Sequence, residues 1–115
     1  MQTWRLTELD APAGRRDPIV VHEADGARAV MIRLAPGQQL GDHQVKERAW
    51  VTVVEGEVRA RAGGDEERCG VGTLLTFAPD ETHSLASDGG ARILLLLAPW
   101  PAADHFRGPE EPGAR

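Results

Sequence analysis

Between Ile19 and Pro99, short apolar stretches alternate with Gly, Pro and Asp about every eight to twelve residues, the rhythm of antiparallel strands in a sandwich or barrel. No segment carries the 3.6-residue apolar period of a helix. The pattern predicts strands over residues 19–23, 27–34, 49–55, 58–62, 73–77, 83–87 and 91–98. Turn signals separate them at Asp25-Gly26, Pro36-Gly37, Gly63-Gly64-Asp65, Pro79-Asp80 and Gly89-Gly90. Val58, Ala60 and Ala62 alternate with Arg59 and Arg61, so that strand has one dry face and one wet face. Residues 50–54 are apolar on nearly both faces. Such a strand must be covered twice, by the core and by a second sheet or a second subunit. The longest apolar run, residues 93–98, reads as a buried strand.

Composition narrows the class. The 115 residues are 41% hydrophobic and suffice for one core, expected over residues 1–101. From Ala102 the chain turns to Pro, Gly and charge, and residues 102–115 are expected to form a loosely held tail. No apolar run approaches the roughly 20 residues that span a bilayer. The opening MQTWRLTELD lacks a basic stretch followed by an apolar one, and Cys69 is the single cysteine, so a cytoplasmic protein is expected. A net charge of -5 without a basic run argues against a nucleic-acid surface. Small molecules and copies of the chain itself are the expected partners.

Two glycine- and histidine-bearing segments, 37–56 and 72–87, resemble the paired motifs of the cupin family, G(x)5HxH(x)3-4E(x)6G and G(x)5PxG(x)2H(x)3N. Gly37, His43 and Gly56 hold their places in the first, while Val45 stands at the second histidine and Ala49 at the glutamate. In the second, Gly72 and His83 are kept, Ala78 takes the proline place with Pro79 displaced by one, Asp80 replaces a glycine and Ser87 the asparagine. The resemblance implies an all-β double-stranded β-helix, a jelly-roll barrel around a cavity. Family members with a metal gather three histidines and a glutamate on iron, manganese, nickel, zinc or copper. The carry-over here delivers only His43 and His83.

Two imidazoles hold a divalent ion weakly without a third protein ligand. Glu47 is the candidate third ligand, yet four residues of extended strand span about 13 Å. On a turn instead, Glu47 is expected at its tip as a solvated carboxylate. Asp42 and Gln44 have the wrong strand parity. Without an ion the histidines still offer hydrogen bonds in a mostly apolar pocket of Val45, Ala49, Val51 and Leu85, the usual form of a small-ligand site. The expected function is therefore small-molecule binding anchored by His43 and His83. The alternatives are a metal-dependent dioxygenase- or isomerase-like enzyme using both histidines and a third ligand, and a dimeric scaffold without a pocket.

The doubly dry strand and the cupin resemblance together point to a homodimer, with Trp50 either as an interface residue or in ordinary core packing. Arg68 beside Cys69 is able to lower the thiol pKa, although an incidental cysteine is the ordinary reading. Ser84 neighbours His83 on a strand and points to the opposite face, which excludes a Ser-His pair. His22 is expected on an exposed strand and His105 in the tail. Lys46 and Arg48 fall on the turn, which leaves the apolar pocket without basic residues and disfavours a phosphorylated or multiply charged ligand.

Overall fold

The computed structural model describes residues 1–9 and 19–103, with the backbone alone at His43. The tail residues 104–115, His105 among them, lie outside the described residues. Nine strands occur among the described residues: β1 Ile19–Ala24, β2 Ala27–Leu34, β3 Gln39–His43, β4 Arg48–Gly56, β5 Val58–Ala62, β6 Asp65–Cys69, β7 Leu74–Phe77, β8 His83–Ala86 and β9 Ala91–Ala98. They form a five-stranded sheet ordered β1-β2-β9-β4-β7 and a four-stranded sheet ordered β3-β8-β5-β6. Every ladder is antiparallel. The all-β jelly roll expected from the sequence is present.

The turns follow local chemistry. Asp25 and Gly26 both take positive φ, 55° and 78°, and so do Gly63 and Gly64, 58° and 92°. Two successive positive φ values make the hairpin turn whose twist matches the flanking strands. Gly56 ends β4 with φ +79°, and a Cβ there would lie 2.1 Å from the Gly90 carbonyl oxygen. Only glycine fits that crossing of chains.

Strand parity builds the core. Ala49, Val51 and Val53 of β4 stand opposite Leu97, Leu95 and Ile93 of β9. Val30, Ile32 and Leu34 of β2 continue the same face, and Val58, Ala60 and Leu85 meet it from the smaller sheet. Trp50 and Thr52 point the other way, opposite Leu96 and Leu94. The expectation that residues 93–98 are buried throughout is corrected here: Ile93 and Leu97 are buried, but Leu96 is 37% exposed because its register turns it to the outer face.

The outer face nearer β1 is covered by the N-terminal segment. Buried Arg92 donates to the carbonyl oxygens of Leu9 and Thr7 and to Glu55, and so clips that segment across the sheet. Met31, an outward residue of β2, is consequently fully buried. His22 lies on β1 as expected but is half-buried rather than exposed, because its ring packs 4.9 Å from that of Trp4.

Candidate functional site

The chemistry-bearing residues gather where β3 ends and β8 begins. The register sets His43 opposite His83 across that ladder. His83 is 5% exposed, and its ring stacks on Phe77 at 4.0 Å between centroids and 3° between planes. Its Nδ1 lies 3.0 Å from the Glu81 carbonyl oxygen. A carbonyl only accepts, so Nδ1 carries the proton, and in the neutral ring Nε2 is the acceptor. Ser84 faces outward beside Arg61, as parity requires.

Three ties close this end. The Asp80 N–H donates to the Val45 carbonyl at 2.8 Å. Lys46 pairs with Asp80 at 3.1 Å, and Gln44 donates to Thr82 at 2.7 Å. The β3–β4 loop is thereby tied to the β7–β8 loop. A third segment arrives from the C-terminal side: the Trp100 N–H donates to Gly26 at 2.7 Å, Arg28 lies over the Trp100 ring at 4.6 Å, and the Ala102 N–H donates to Glu47 Oε2 at 3.0 Å.

Glu47 lies in the loop between β3 and β4, as the turn reading expects, but the expected solvation is wrong. Its exposure is 0%. The backbone N–H of Ala102 replaces water on its carboxylate, a partner invisible to local sequence reasoning.

The wall residues named from sequence are found in the core. Ala49 and Val51 are each 1% exposed and Leu85 3%, all within one apolar cluster, with Val45 half-buried against it. No three His, Cys, Asp or Glu side chains converge as a metal-binding set among the described residues. Val45 and Ala49 hold the family's remaining ligand places, and Glu47 is turned to the Ala102 amide. At the family's four ligand places the sequence therefore offers two imidazoles, one fewer than the three protein ligands usual in a catalytic metal site.

A cavity of about 140 Å³ opens instead at the side of the barrel, between the edge strands β6 and β7. Its floor is Ala60, Ala62, Leu75 and Phe77, which leaves His83 one ring away behind Phe77. Asp65, Glu67, Thr76 and Glu81 stand around it. A larger polar cleft of about 340 Å³, lined by Asp42, Gly63, Gly64, Glu66 and Thr82, adjoins it and shares Arg61, Ala62 and Asp65. Sequence reasoning missed this slot, because its floor comes from two strands of different sheets, β5 and β7, and much of its rim from β6, a strand without an apolar pattern.

Cys69 ends β6 and is buried. Arg68 does not lower its thiol pKa: burial raises it, and the Glu67 and Glu57 carboxylates add to the rise, which accords with the incidental-cysteine reading. Arg68 is drawn off to Glu57 at 3.0 Å.

Comparison with known proteins agrees with this architecture. The family model described as the AraC-like ligand binding domain matches residues 29–103. A Klebsiella pneumoniae protein with a double-stranded β-helix domain superposes with a TM-score of 0.75 at 22% identity, over 90% of this chain and 94% of that one. An RmlC-like cupin protein from Desulfovibrio desulfuricans gives 0.70 at 22% identity, over 86% and 97%. A cupin superfamily protein from Desulfitobacterium hafniense gives 0.72 at 12%, over 81% and 85%. No curated protein sequence matches the chain. No helix among the described residues is long and apolar enough to cross a membrane. With the matched region spanning β2 through β9, the chain belongs to the AraC-like ligand binding domain family and has the cupin fold.

Proposed function

We propose that this protein binds a small molecule at the histidine end of its barrel, reached through the slot between β6 and β7. The observation that carries the reading is the slot itself, an apolar floor continuous with the core and backed by the Phe77–His83 stack. A concave, mostly apolar recess with a few placed polar groups is the usual form of a small-ligand site. The family match supports ligand binding as a class. In this reading Val45, Ala49, Val51 and Leu85 form the wall behind the ligand, His83 orients Phe77, and His43 and His83 are the polar anchors expected from the sequence.

The test is a fragment screen by ligand-observed NMR on the full chain and on Ala62→Phe, which fills the slot mouth from a half-buried position. Hits to the parent that vanish in the folded variant are expected. Hits that persist unchanged place binding elsewhere and sink the reading.

We also propose a homodimer through the outer face of the larger sheet. Trp50, Leu94 and Leu96 lie together there, and Leu74 of β7 is 64% exposed beside them. A contiguous apolar sheet face of this kind marks an interaction surface, and a second copy presents the same face in return.

A further inference from the structure

The slot is lined by charges of one sign, and strand register is the reason. In the β5–β6 ladder Val58 stands opposite Cys69, Ala60 opposite Glu67 and Ala62 opposite Asp65. Residues opposite each other in a ladder project from the same face of the sheet. Val58, Ala60 and Cys69 are buried in the core, so Glu67 and Asp65 also project from the core-facing side. They remain exposed only because β6 is an edge strand and the two sheets part there. Arg61 and Glu66 belong to the alternate set, on the outer face, where they pair at 2.9 Å. Glu81 completes the rim from the β7–β8 loop, with one carboxylate oxygen accepting the Ala78 N–H at 2.9 Å. Among the described residues three carboxylates therefore stand around an apolar floor, and the cation in the lining, Arg61, is bound to Glu66 on the other face.

We infer that the slot selects a small amphipathic cation: an apolar or aromatic body on Ala60, Ala62, Leu75 and Phe77, with an ammonium or amidinium group at Glu67 and Asp65. This rests on the small-molecule reading above and adds the chemical class. An anion would meet three carboxylates at the rim, while the nearby guanidiniums of Arg61 and Arg48 are engaged by Glu66 and Thr76. A neutral ligand of the same shape would gain the floor without the ion pairs. The rival explanation for inward-pointing charge on an edge strand is protection against edge-to-edge pairing, and that role needs no ligand.

The probes are benzylamine, benzyl alcohol and benzoate, titrated at pH 7 into isotopically labelled full-length protein and followed through backbone amide shifts. Benzylamine is expected to perturb the Ala60, Ala62, Leu75 and Phe77 amides and to bind about five- to tenfold tighter than the alcohol, the scale of one or two exposed ion pairs. Benzoate is expected to be weakest, and the preference should shrink in high salt as screening sets in. Glu67→Gln and Asp65→Asn should erase most of it while leaving the alcohol's affinity unchanged. Equal binding of amine and alcohol at these amides overturns the charge inference and leaves the small-molecule site standing. Silence at these amides from all three probes overturns both. Charge-neutral variants that aggregate while retaining the parent's preference assign the carboxylates to edge protection and overturn the inference.

Discussion

Glu47 offers the sharpest test of how the histidine end is held closed. Its carboxylate is 0% exposed and accepts the Ala102 N–H at 3.0 Å, joining the β3–β4 loop to the segment that follows β9. Glu47→Ala deletes a charged acceptor, a loss of about 1.5–3 kcal/mol, and one buried methylene adds about 0.8 kcal/mol. Relief of the carboxylate's desolvation offsets part of this, so about 2–3 kcal/mol is the expected net loss. Glu47→Gln keeps an acceptor oxygen but not the charge, and neutral hydrogen bonds have about half the strength, so roughly 1 kcal/mol is expected. Urea denaturation reads both. At a slope of about 1.5 kcal/mol per molar, the midpoint falls by about 1.5 M for alanine and about 0.7 M for glutamine. Amide exchange supplies the local readout: the Ala102 and Trp100 amides should exchange faster in Glu47→Ala, with Val51 affected only through global unfolding. An alanine variant within about 0.3 M of the parent, with Ala102 exchange unchanged, would refute the tie.

Gly56→Ala drives a methyl toward the Gly90 carbonyl at 2.1 Å, so it should cost more than about 3 kcal/mol or abolish folding. Gly37→Ala, with similar φ but open space, should cost only about 1 kcal/mol in the same melt. The Cys69 thiol is held above its ordinary 9.0, so a disulfide reagent should modify it very slowly at pH 7, and Glu67→Gln should speed the reaction. Because the folded thiol keeps its proton more tightly than the unfolded one, this group's contribution to stability is present below pH 9.0 and lost as pH rises above it. Leu96→Glu on the outer face should convert a dimer to a monomer in light scattering with no fall in monomer stability. An unchanged parent mass of one chain would remove the dimer proposal.

The parts of the fold legible in the sequence are those with an apolar rhythm. The bounds of β2, β5 and β9 agree with the expected residues 27–34, 58–62 and 91–98, because alternation or an apolar run marks each. β3 and β6 carried no such mark. QLGDH has one large apolar residue, and DEERC lies at a sheet edge where water satisfies the inward side chains. At the candidate site, the glycine and histidine frame placed His43 and His83 together, and the β3–β8 register sets them opposite each other. Glu47 was read as solvated because its partner, Ala102, lies 55 residues away along the chain. The slot was invisible for the same reason: Ala62, Phe77 and Glu81 meet only through tertiary packing.

The closed end and the charged slot bear on one question, the route a ligand takes. Loop ties and the Glu47–Ala102 bond cover the histidine end, whereas among the described residues β6 and β7 share no ladder, and the turn between them is fixed by Thr73 to Gly70 and by Gly72 to Val53 of β4. The sheets part at the far end of that edge, where Asp65 and Glu67 lie. An edge strand stays unpaired by carrying charge, and strand alternation sends some of that charge inward. Edge protection is indifferent to sign, but ligand choice is not. Asp65→Lys with Glu67→Lys therefore separates the two roles. The double variant should remain dispersed, and it should invert the preference so that benzoate binds the slot about five- to tenfold tighter than benzylamine. Inversion without aggregation is the outcome the geometry requires. A variant that stays folded and dispersed, yet still ranks benzylamine first, shows that the inward carboxylates do not choose the ligand.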